Sequence, residues 1–378
     1  MPYRHVNILS IAPYKILPPA SGGQLSIAIS HHYLGKLCQD HIAGTIDNGP
    51  ADNYAFDLHK IFPDTAKRYI PLYNYHTLLS IAKKYDVNYI YCEHPYMAPT
   101  AAALSRKLKI PWYLRSQNIE SERFRSVGKK WWPLMRAFEQ FAMRNASGVF
   151  FITPEEKEWA IKNYGLSAYK CYDIPYGTVL DHAPAGHEEA KQSMAKETGL
   201  DPTKPWLYFL GALGYYPNEQ AVTFILNEIM PRLNEAHTPY EILIGGKGLS
   251  EKLQQQIAET PQITYTGFIP VLDNFLKACD IMLNPVLLGG GIKTKAVEAL
   301  GYNKIVVSSH SGASGILPEA CGDNLLISED NDWYAFVADI NKAILTMPAI
   351  PAAFYEQYYW GNIAKKILGI LKSSSDAG

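Results

Sequence analysis

The stretch PVLLGGGIKTKAVEALG, residues 285–301, decides the predicted fold and suggests a function. An apolar run that ends at Pro285 predicts a buried strand, and the pattern from Thr294 onward predicts a helix. Between them, Gly289, Gly290 and Gly291 predict a turn whose backbone N–H groups can approach a ligand closely. The stretch therefore has the strand–turn–helix form that holds anions at a helix N-terminus.

Two interpretations of this stretch stay open at this point. The simpler one is a strand-to-helix turn with solvated lysines. However, Lys293 and Lys295 lie where cations oppose the helix dipole, so helix stability does not account for them. The alternative is a diphosphate cradle with the lysines as its cations. Glu298, one turn further along, could then accept two hydrogen bonds from a ribose diol.

Short apolar runs alternate with helical patterns on both sides of this stretch, which predicts βαβ units and parallel sheets. The predicted strands are 6–12, 41–46, 87–92, 110–114 and 148–152, then 205–213, 240–246, 263–267, 280–285, 304–309 and 324–328.

The pattern pauses once, over roughly 175–200, where Pro, Gly and His accumulate. We therefore predict an α/β chain of two doubly wound Rossmann-like domains, residues 1–175 and 200–350, facing a cleft. Residues 351–372 predict an amphipathic C-terminal helix. Because open α/β sheets bind ligands at the carboxyl ends of their strands, the cleft is the expected site.

Composition limits the classes of function. The chain has 378 residues, 47% of them hydrophobic, and a formal net charge of −1 at pH 7, which argues against a nucleic-acid binder. Its five cysteines are scattered singly, so a disulfide framework is not expected. Single cysteines are typical of a protein in a reducing cytoplasm. The N-terminal apolar run is too short for a signal peptide, and no run is long enough to span a membrane.

Several catalytic motifs are missing from the sequence. It contains no HExxH, no GxSxG and no Walker lysine motif, which leaves little support for hydrolases and NTPases. Asp330 and Asp332 have a spacing that some metal-dependent enzymes use. A helix beginning near Trp333 makes capping the better explanation, so no metal site is predicted.

Four segments resemble glycosyltransferases with the GT-B fold, in the large retaining family four (glycosyl transferases group 1). They are GFIPVLDNFLKACDIMLNPVLLGGGIKTKAVEALGYNKIVVSSHSGASGI (267–316), SGGQLSIAISHHYLGKL (21–37), LRSQNIESERF (114–124) and FLGALGYYPNEQAVTFILNEIMPRL (209–233). Together they extend through most of the chain in matched order.

The resemblance implies a nucleotide-diphosphate sugar as donor on the C-terminal domain and an acceptor on the N-terminal domain. It implies transfer with retention, without an obligatory metal or a cofactor, and a C-terminal helix that crosses back to the N-terminal domain. The donor-binding residues would be Gly22, Gly23, Gly289, Gly290, Gly291, Thr294 and Glu298. Lys293 and Lys295 would serve catalysis by stabilising the leaving diphosphate.

The chain departs from the family pattern in three places. Glu298 matches the second glutamate of the family's Glu-x7-Glu pattern, but Gly290 stands where the first is expected. The Arg and Lys after the first strand of the C-terminal domain are missing from GALGYYPN (211–218). Gln117 stands where a histidine is often found. Lys293 and Lys295 are interpreted as replacing the lost cations.

The N-terminal domain offers candidates for the acceptor side. His94 follows a predicted strand, and serving an acceptor hydroxyl and an ordinary polar role in the loop are both open for it. The segment after the next strand adds Arg115, Gln117, Asn118 and Glu120 as acceptor-side candidates.

A basic and aromatic patch follows this segment. From Leu104 to Arg136 there are nine Lys or Arg and two acids, and Lys129 and Lys130 directly precede Trp131 and Trp132. One interpretation is a helix that packs its tryptophans into the core. The other is peripheral contact with the inner face of the cell membrane, suited to a lipid-linked acceptor.

The sequence as a whole predicts a cytoplasmic glycosyltransferase that acts on a glycan or lipid-linked acceptor in polysaccharide or glycolipid assembly. The alternative is a non-catalytic protein that binds a nucleotide sugar. The sugar, the base and the acceptor are not specified by the sequence.

Overall fold

The computed structural model describes residues 6–373, which form two compact units. The first unit contains residues up to Tyr176 together with those from Trp360 onward, and the second contains Gly177–Tyr359. Within the described residues, no helix combines the length and apolarity that crossing a membrane requires. Each unit contains one parallel sheet, so the two predicted α/β folds are present. The first unit is built from two separate stretches of chain.

The first unit is a parallel sheet with helices on its faces. Its strands are β1 (Asn7–Ile11), β2 (Gln39–Thr45), β3 (Asp57–Phe62), β4 (Tyr89–Glu93), β5 (Trp112–Ser116), β6 (Gly148–Phe151) and β7 (Cys171–Asp173). Its helices are α1 (Gly22–Gly35), α2 (Tyr75–Lys84), α3 (Ala98–Leu108), α4 (Glu120–Ser126), α5 (Trp132–Asn145), α6 (Pro154–Tyr164) and, from the C-terminus, the helix Trp360–Ser373.

The second unit repeats the pattern. Its strands are β8 (Trp206–Leu210), β9 (Glu241–Gly245), β10 (Ile263–Gly267), β11 (Ile281–Asn284), β12 (Ile305–Ser309) and β13 (Leu325–Ser328). Its helices are α7 (His187–Thr198), α8 (Tyr216–Phe224), α9 (Met230–Glu235), α10 (Glu251–Ala258), α11 (Leu272–Ala278), α12 (Thr294–Gly301), α13 (His310–Ala313), α14 (Pro318–Cys321), α15 (Trp333–Thr346) and α16 (Ala352–Tyr358). The C-terminal helix of the first unit is α17.

Both sheets have the doubly wound strand order. The first is β3-β2-β1-β4-β5-β6-β7 and the second is β10-β9-β8-β11-β12-β13, with every pair of neighbours parallel. The order reverses between β1 and β4 and between β8 and β11. In such sheets the crevice at the reversal, at the carboxyl ends of the strands, is where ligands bind.

The predicted linker differs from the structure. Residues of the 175–200 stretch form α7, which packs on α11 within the second unit. Lys191 of α7 is buried and donates to Asp280 at 2.7 Å. The helix is short of apolar residues, so the hydrophobic pattern did not reveal it, and polar contacts of His187 and Lys191 with Asp280 help to attach it instead.

The C-terminal region also differs in detail. The predicted helix over 351–372 is two helices, because Tyr359 has extended backbone at φ −69° and ψ 125°. α16 remains with the second unit, whereas α17 packs on α1 of the first unit. Ile363, Ile367 and Leu371 of α17 are buried there, which explains their helical spacing.

The sequence analysis also missed β3, β7 and α4. β3 lies at the sheet edge and mixes charged and polar residues with apolar ones, so it has no long apolar run. β7 is only three residues long and lies at the other edge. α4 lies within a charged stretch and has only Glu120 and Ser121 buried. Edge strands and short polar helices carry the weakest hydrophobic pattern.

An ionic network is buried in the first unit beside β4. His31 lies between two carboxylates, with Nδ1 2.6 Å from Asp40 Oδ2 and Nε2 3.1 Å from Glu93 Oε1. Burial alone would lower the pKa of His31, but the charge of Asp40 and hydrogen bonds to both carboxylates raise it to about 9. The imidazolium is thus the favoured form, and both of its N–H groups donate.

This network predicts how stability depends on pH. Because the pKa of His31 is raised from its usual 6.5 to about 9 by folding, its contribution is complete below pH 6.5 and is lost as pH rises through 9. The loss should be on the order of 2–3 kcal/mol. Hydrogen exchange of β1 and β4 amides, measured from pH 6.5 to 9 and corrected for intrinsic rates, checks it.

The matched control is His31→Gln, which cannot titrate. The variant should be less stable at pH 6.5, and its β1 and β4 amides should lose the pH-dependent decrease in protection. A flat profile in the unmodified chain would show that His31 is not held as the imidazolium.

Candidate nucleotide-binding site

The glycine turn predicted from the sequence follows β11, at the reversal point of the second sheet. Gly289 and Gly291 have φ of 92° and 70°, a conformation that favours glycine, so these two positions require it. Gly290 differs, because a Cβ built there meets nothing within 4 Å. Packing in this unit therefore does not explain why Gly290 lacks a side chain.

The two lysines have different surroundings. Lys293 folds back over the turn, and its ammonium donates to the carbonyl of Gly289 at 2.6 Å and of Gly291 at 3.0 Å. These bonds fix the shape of the turn while keeping the cation beside it. Thr294 is the first residue of α12, and no side chain among the described residues caps the helix start. The first N–H groups of α12 thus add partial positive charge at the same place.

Lys295 points into the unit instead. Its Nζ donates to Asn218 Oδ1 at 2.9 Å and lies 3.8 Å from the centre of the Phe209 ring. Burial, together with the nearby charge of Lys293, lowers the pKa of the Lys295 ammonium well below its usual range. An anion beside Lys295 would restore the charged form, so this ammonium has much to gain from a phosphate.

Glu298 lies one turn further along α12, in the same pocket as Lys295. The pocket has a volume of about 240 Å³. Burial raises the pKa of the Glu298 carboxyl. Within residues 6–373, this carboxylate has no ion-pair or hydrogen-bond partner. It is therefore able to accept hydrogen bonds from a ligand that enters the pocket.

The floor of this pocket is backbone that sequence reasoning missed. It includes Gly211 after β8 and Gly245 and Gly246 at the end of β9. Gly246 has φ of 128°, and a Cβ there would lie 1.8 Å from the Gly211 carbonyl oxygen, so the two segments approach too closely for any side chain. The Gly-Gly pair in YEILIGG (240–246), which follows a predicted strand, was the available signal.

Gly22 and Gly23 lie in the first unit, at the start of α1. Ser21 caps this helix by accepting from the Gln24 N–H, as its position predicts. A Cβ built at Gly23 meets nothing within 4 Å, so this unit has space for a side chain there. The donor-binding role of both glycines stays a prediction.

His94, also in the first unit, has an unusual backbone conformation. It lies directly after β4 with φ 66° and ψ 157°, which is costly for a residue with a side chain. Its ring packs edge-on against Tyr14 at 5.1 Å, and its Nδ1 is buried without a hydrogen bond. Burial lowers the pKa of His94, against the charges of Glu120 and Glu93. A neutral imidazole ring is suited to contacting a hydroxyl group.

The acceptor-side candidates are mostly buried in the ionic network of the first unit. Arg115 is fully buried; it contacts Glu93 at 3.5 Å and donates to Ser26 at 3.0 Å. Gln117 donates to Glu93 at 2.8 Å. Burial would raise the pKa of Glu93, but Arg115, His31 and Gln117 lower it to about 2. These contacts give Arg115 and Gln117 a structural role in holding Glu93 as the carboxylate.

The remaining two candidates continue this segment. Asn118 is half-buried, and its carbonyl accepts from the Ser116 hydroxyl at 2.8 Å. Glu120 is buried and accepts from Tyr96 at 2.6 Å while pairing with Arg123. The structure brings Glu120 near His94, whose Nδ1 is 3.9 Å from the carboxylate. His94 and Glu120 thus form one polar cluster beside Tyr96.

Asp330 and Asp332 have the roles expected of capping residues. Asp332 accepts from the Ala335 N–H at 3.0 Å and so caps α15. Asp330 accepts from the Ser311 N–H at 2.9 Å. The predicted capping role is therefore confirmed for Asp332.

Known proteins resemble this chain in part of its sequence and in its fold. Residues 204–345 match the family model described as Glycosyl transferases group 1. An uncharacterized glycosyltransferase of Methanocaldococcus jannaschii, MJ1607, is 23% identical over 233 residues, which are 59% of this chain and 55% of the relative. The chain thus spans about half the length of that relative.

Solved structures match over nearly the whole chain. A glycosyltransferase from Rickettsia africae has a TM-score of 0.75 at 14% identity, with 100% of both chains covered. Anabaena Alr3699/HepE, solved in complex with UDP-glucose, has a TM-score of 0.71 at 16% identity, with 98% of this chain and 100% of the other covered. At these identities the likeness shows the fold.

The pocket predicts how binding divides among its residues. Replacing Lys295 with Met should weaken a nucleoside diphosphate about tenfold or more but barely affect the nucleoside, because a charged hydrogen bond contributes about 1.5–3 kcal/mol. Glu298→Gln should weaken UDP or GDP but hardly alter binding of the matching 2′,3′-dideoxynucleotide. Isothermal titration calorimetry on all pairs measures both effects.

The control is Lys252→Met, which removes an exposed lysine of α10 in the same unit. It should leave every affinity unchanged. Equal losses for the ribose and dideoxy ligands in Glu298→Gln would make this carboxylate structural. If Lys295→Met weakens the binding of nucleoside diphosphate and of nucleoside equally, the role of Lys295 is structural.

The fold and the family resemblance predicted from the sequence are therefore confirmed: the chain has the GT-B fold, and its residues 204–345 resemble the glycosyl transferases group 1 family.

Proposed function

We propose that this protein is a glycosyltransferase that moves a sugar from a nucleotide-diphosphate sugar to a glycan or lipid-linked acceptor. One observation carries the proposal: Lys295 and the unpaired carboxylate of Glu298 share one pocket beside the glycine turn. A diphosphate and a ribose diol are the ligand groups that match a cation and a carboxylate at this separation along one helix. The complex of Anabaena HepE with UDP-glucose supports a donor of this class.

The proposed chemistry depends on stabilising the leaving diphosphate. Lys295, the start of α12 and the turn held by Lys293 supply positive charge where negative charge develops. The donor β-phosphate takes the proton of the acceptor hydroxyl, which gives retention and requires neither a separate base nor a metal. Gly290 leaves room for the phosphates to approach the backbone.

We place the acceptor on the first unit, near His94 and Glu120. The neutral His94 ring, with its buried Nδ1, can orient a hydroxyl group of the acceptor. The strained backbone at His94 supports this role, since such strain is concentrated at functional positions. Arg115 and Gln117 would then act indirectly, by keeping Glu93 ionised behind His94.

A binding screen followed by a turnover assay tests the proposal. A thermal-shift screen with UDP-, GDP- and ADP-sugars should reveal one donor class. At about a hundred times Kd, a ligand stabilises the folded state by about 2.7 kcal/mol, or roughly 5–10 °C for a unit of this size. The stabilising sugar should then be transferred or slowly hydrolysed, with release of the nucleoside diphosphate.

Turnover separates the proposal from its alternative, a non-catalytic protein that binds a nucleotide sugar. Donor binding without release of nucleoside diphosphate, across glycan and lipid-linked acceptors, would favour the alternative. No thermal shift with any nucleotide sugar would contradict both.

The basic and aromatic patch of the first unit supports a membrane-linked acceptor. Trp131 is 50% exposed and Leu134 is 72% exposed. The interpretation in which the helix packs both tryptophans into the core is therefore wrong for Trp131. Lys129 and Lys130 are exposed directly before it, and Trp132 is partly exposed beneath Arg125. Apolar rings flanked by cations suit an anionic bilayer surface.

We propose that this patch holds the protein on the inner face of the cell membrane, in the cytoplasm. The protein should sediment with anionic liposomes at low salt and be released at high salt, because the attraction between lysines and lipid headgroups is screened. Trp131→Ser together with Leu134→Ser should reduce binding with only a small fall in melting temperature, since Leu134 is mostly exposed and Trp131 half exposed against Phe124. Equal sedimentation with neutral liposomes, or none at any salt, would contradict the proposal.

A further inference from the structure

A second cavity lies at the amino ends of the strands of the second sheet, where β11 and β12 begin. The Lys295 pocket lies at the carboxyl ends. Its volume is about 230 Å³, the space of roughly eight water molecules. Its polar wall includes His187, Lys277, Asp280, Tyr302, Asn303 and Lys304, and Met347 and Pro348 contribute apolar surface. None of these residues belongs to the nucleotide site.

The carboxylate in this wall is already neutralised. Asp280 is buried and accepts from Lys191 at 2.7 Å and from the Trp206 N–H at 2.7 Å, and His187 Nε2 lies 3.1 Å from its other oxygen. Burial would raise the pKa of Asp280, but these hydrogen bonds lower it. Two cationic side chains thus meet one carboxylate.

His187 is fixed as the imidazolium. Its Nδ1 lies 2.6 Å from the carbonyl oxygen of Lys277, while Nε2 faces Asp280. Because both nitrogens face acceptors, both carry a proton. The hydrogen bond to Asp280 raises the pKa of His187, which agrees with this assignment.

Lys304 adds a third cation without a counter-ion. It is 5% exposed, and its Nζ donates to the Lys277 carbonyl at 2.8 Å. His187 Nδ1 is 3.3 Å away but cannot accept, because it is already protonated. Within residues 6–373, no carboxylate lies within 4.0 Å of this ammonium. Burial lowers the pKa of Lys304 to about 8.

The other charged groups nearby do not supply the missing charge. Lys277 pairs with Asp273 at 2.8 Å, and Asp273 also accepts from Tyr302 at 3.0 Å. The buried thiol of Cys279 is kept neutral, because burial raises its pKa. The cavity wall therefore has an excess of positive charge centred on Lys304, with N–H groups available for another acceptor.

We propose that this cavity binds a small oxyanion, a carboxylate or a phosphate, as the counter-ion of Lys304. The ammonium supplies the charged hydrogen bond, His187 and Lys277 add positive potential, and Met347 and Pro348 contact the rest of the ligand. Burying an ammonium without a counter-ion costs free energy. This cost is offset when an anion binds beside the ammonium in the same low-dielectric space. The site is separate from the proposed nucleotide site and does not depend on it.

Site-resolved acetylation tests the proposal on the unmodified chain. Lysines are labelled with acetic anhydride at pH 8, at constant ionic strength in chloride, and quantified by peptide mass spectrometry. Inorganic phosphate, acetate and glycerol 1-phosphate are compared. At saturation, the binding anion should slow Lys304 labelling about tenfold or more, because a bound ammonium remains protonated. The exposed Lys252 should be unaffected, and Lys295 reports separately on the nucleotide pocket.

Substitution gives an independent measurement. Lys304→Met should abolish the calorimetric binding of the protecting anion at this site, whereas Lys304→Arg should retain it and Lys252→Met should not change it. If Lys304→Met does not fold, labelling of the unmodified chain decides. No protection by any of the three anions, equal protection by chloride, or no labelling of Lys304 without an anion would overturn the proposal. Protection by glycerol 1-phosphate but not phosphate would assign the ligand to organic phosphates.

Discussion

The burial of Lys295 and Glu298 in one pocket, without an ion pair between them, is the constraint on which the candidate site depends. Each group is costly to bury, and burial shifts the pKa of each toward its neutral form. The surrounding structure enforces this cost: Phe209 and Asn218 hold the lysine, and the α12 backbone holds the carboxylate. A ligand with an anion at one end and hydroxyl groups nearby would favour both charged forms at once.

The two units use buried charge in different ways. In the first, the cations His31 and Arg115 are balanced by the carboxylates Asp40 and Glu93 in one buried network. In the second, the Asp280 cluster has more cations than carboxylates, and Lys304 carries the excess. A paired network specifies structure, whereas an unbalanced one attracts ions from solution.

Hydrophobic pattern was enough to predict most strands and the strand–turn–helix of 285–301, because buried parallel strands are continuous apolar runs. It failed for β3 and α7, whose attachment depends on edge pairing and on Lys191. It also predicted that both lysines of the glycine stretch serve a ligand directly. Lys293 instead bonds to its own turn, and Lys295 contacts Asn218. These contacts depend on the folded conformation, which a local sequence pattern does not specify.

The division of the first unit into two stretches of chain has a consequence for biosynthesis. Residues up to Tyr176 are synthesised before the second unit, but α17, which covers α1, is synthesised after it. The second unit is continuous from Gly177 to Tyr359, so it can complete its core before the first unit does. During translation the face of α1 that α17 covers therefore remains uncovered while the whole second unit is synthesised. Chaperone dependence should therefore concentrate on the N-terminal half of the nascent chain.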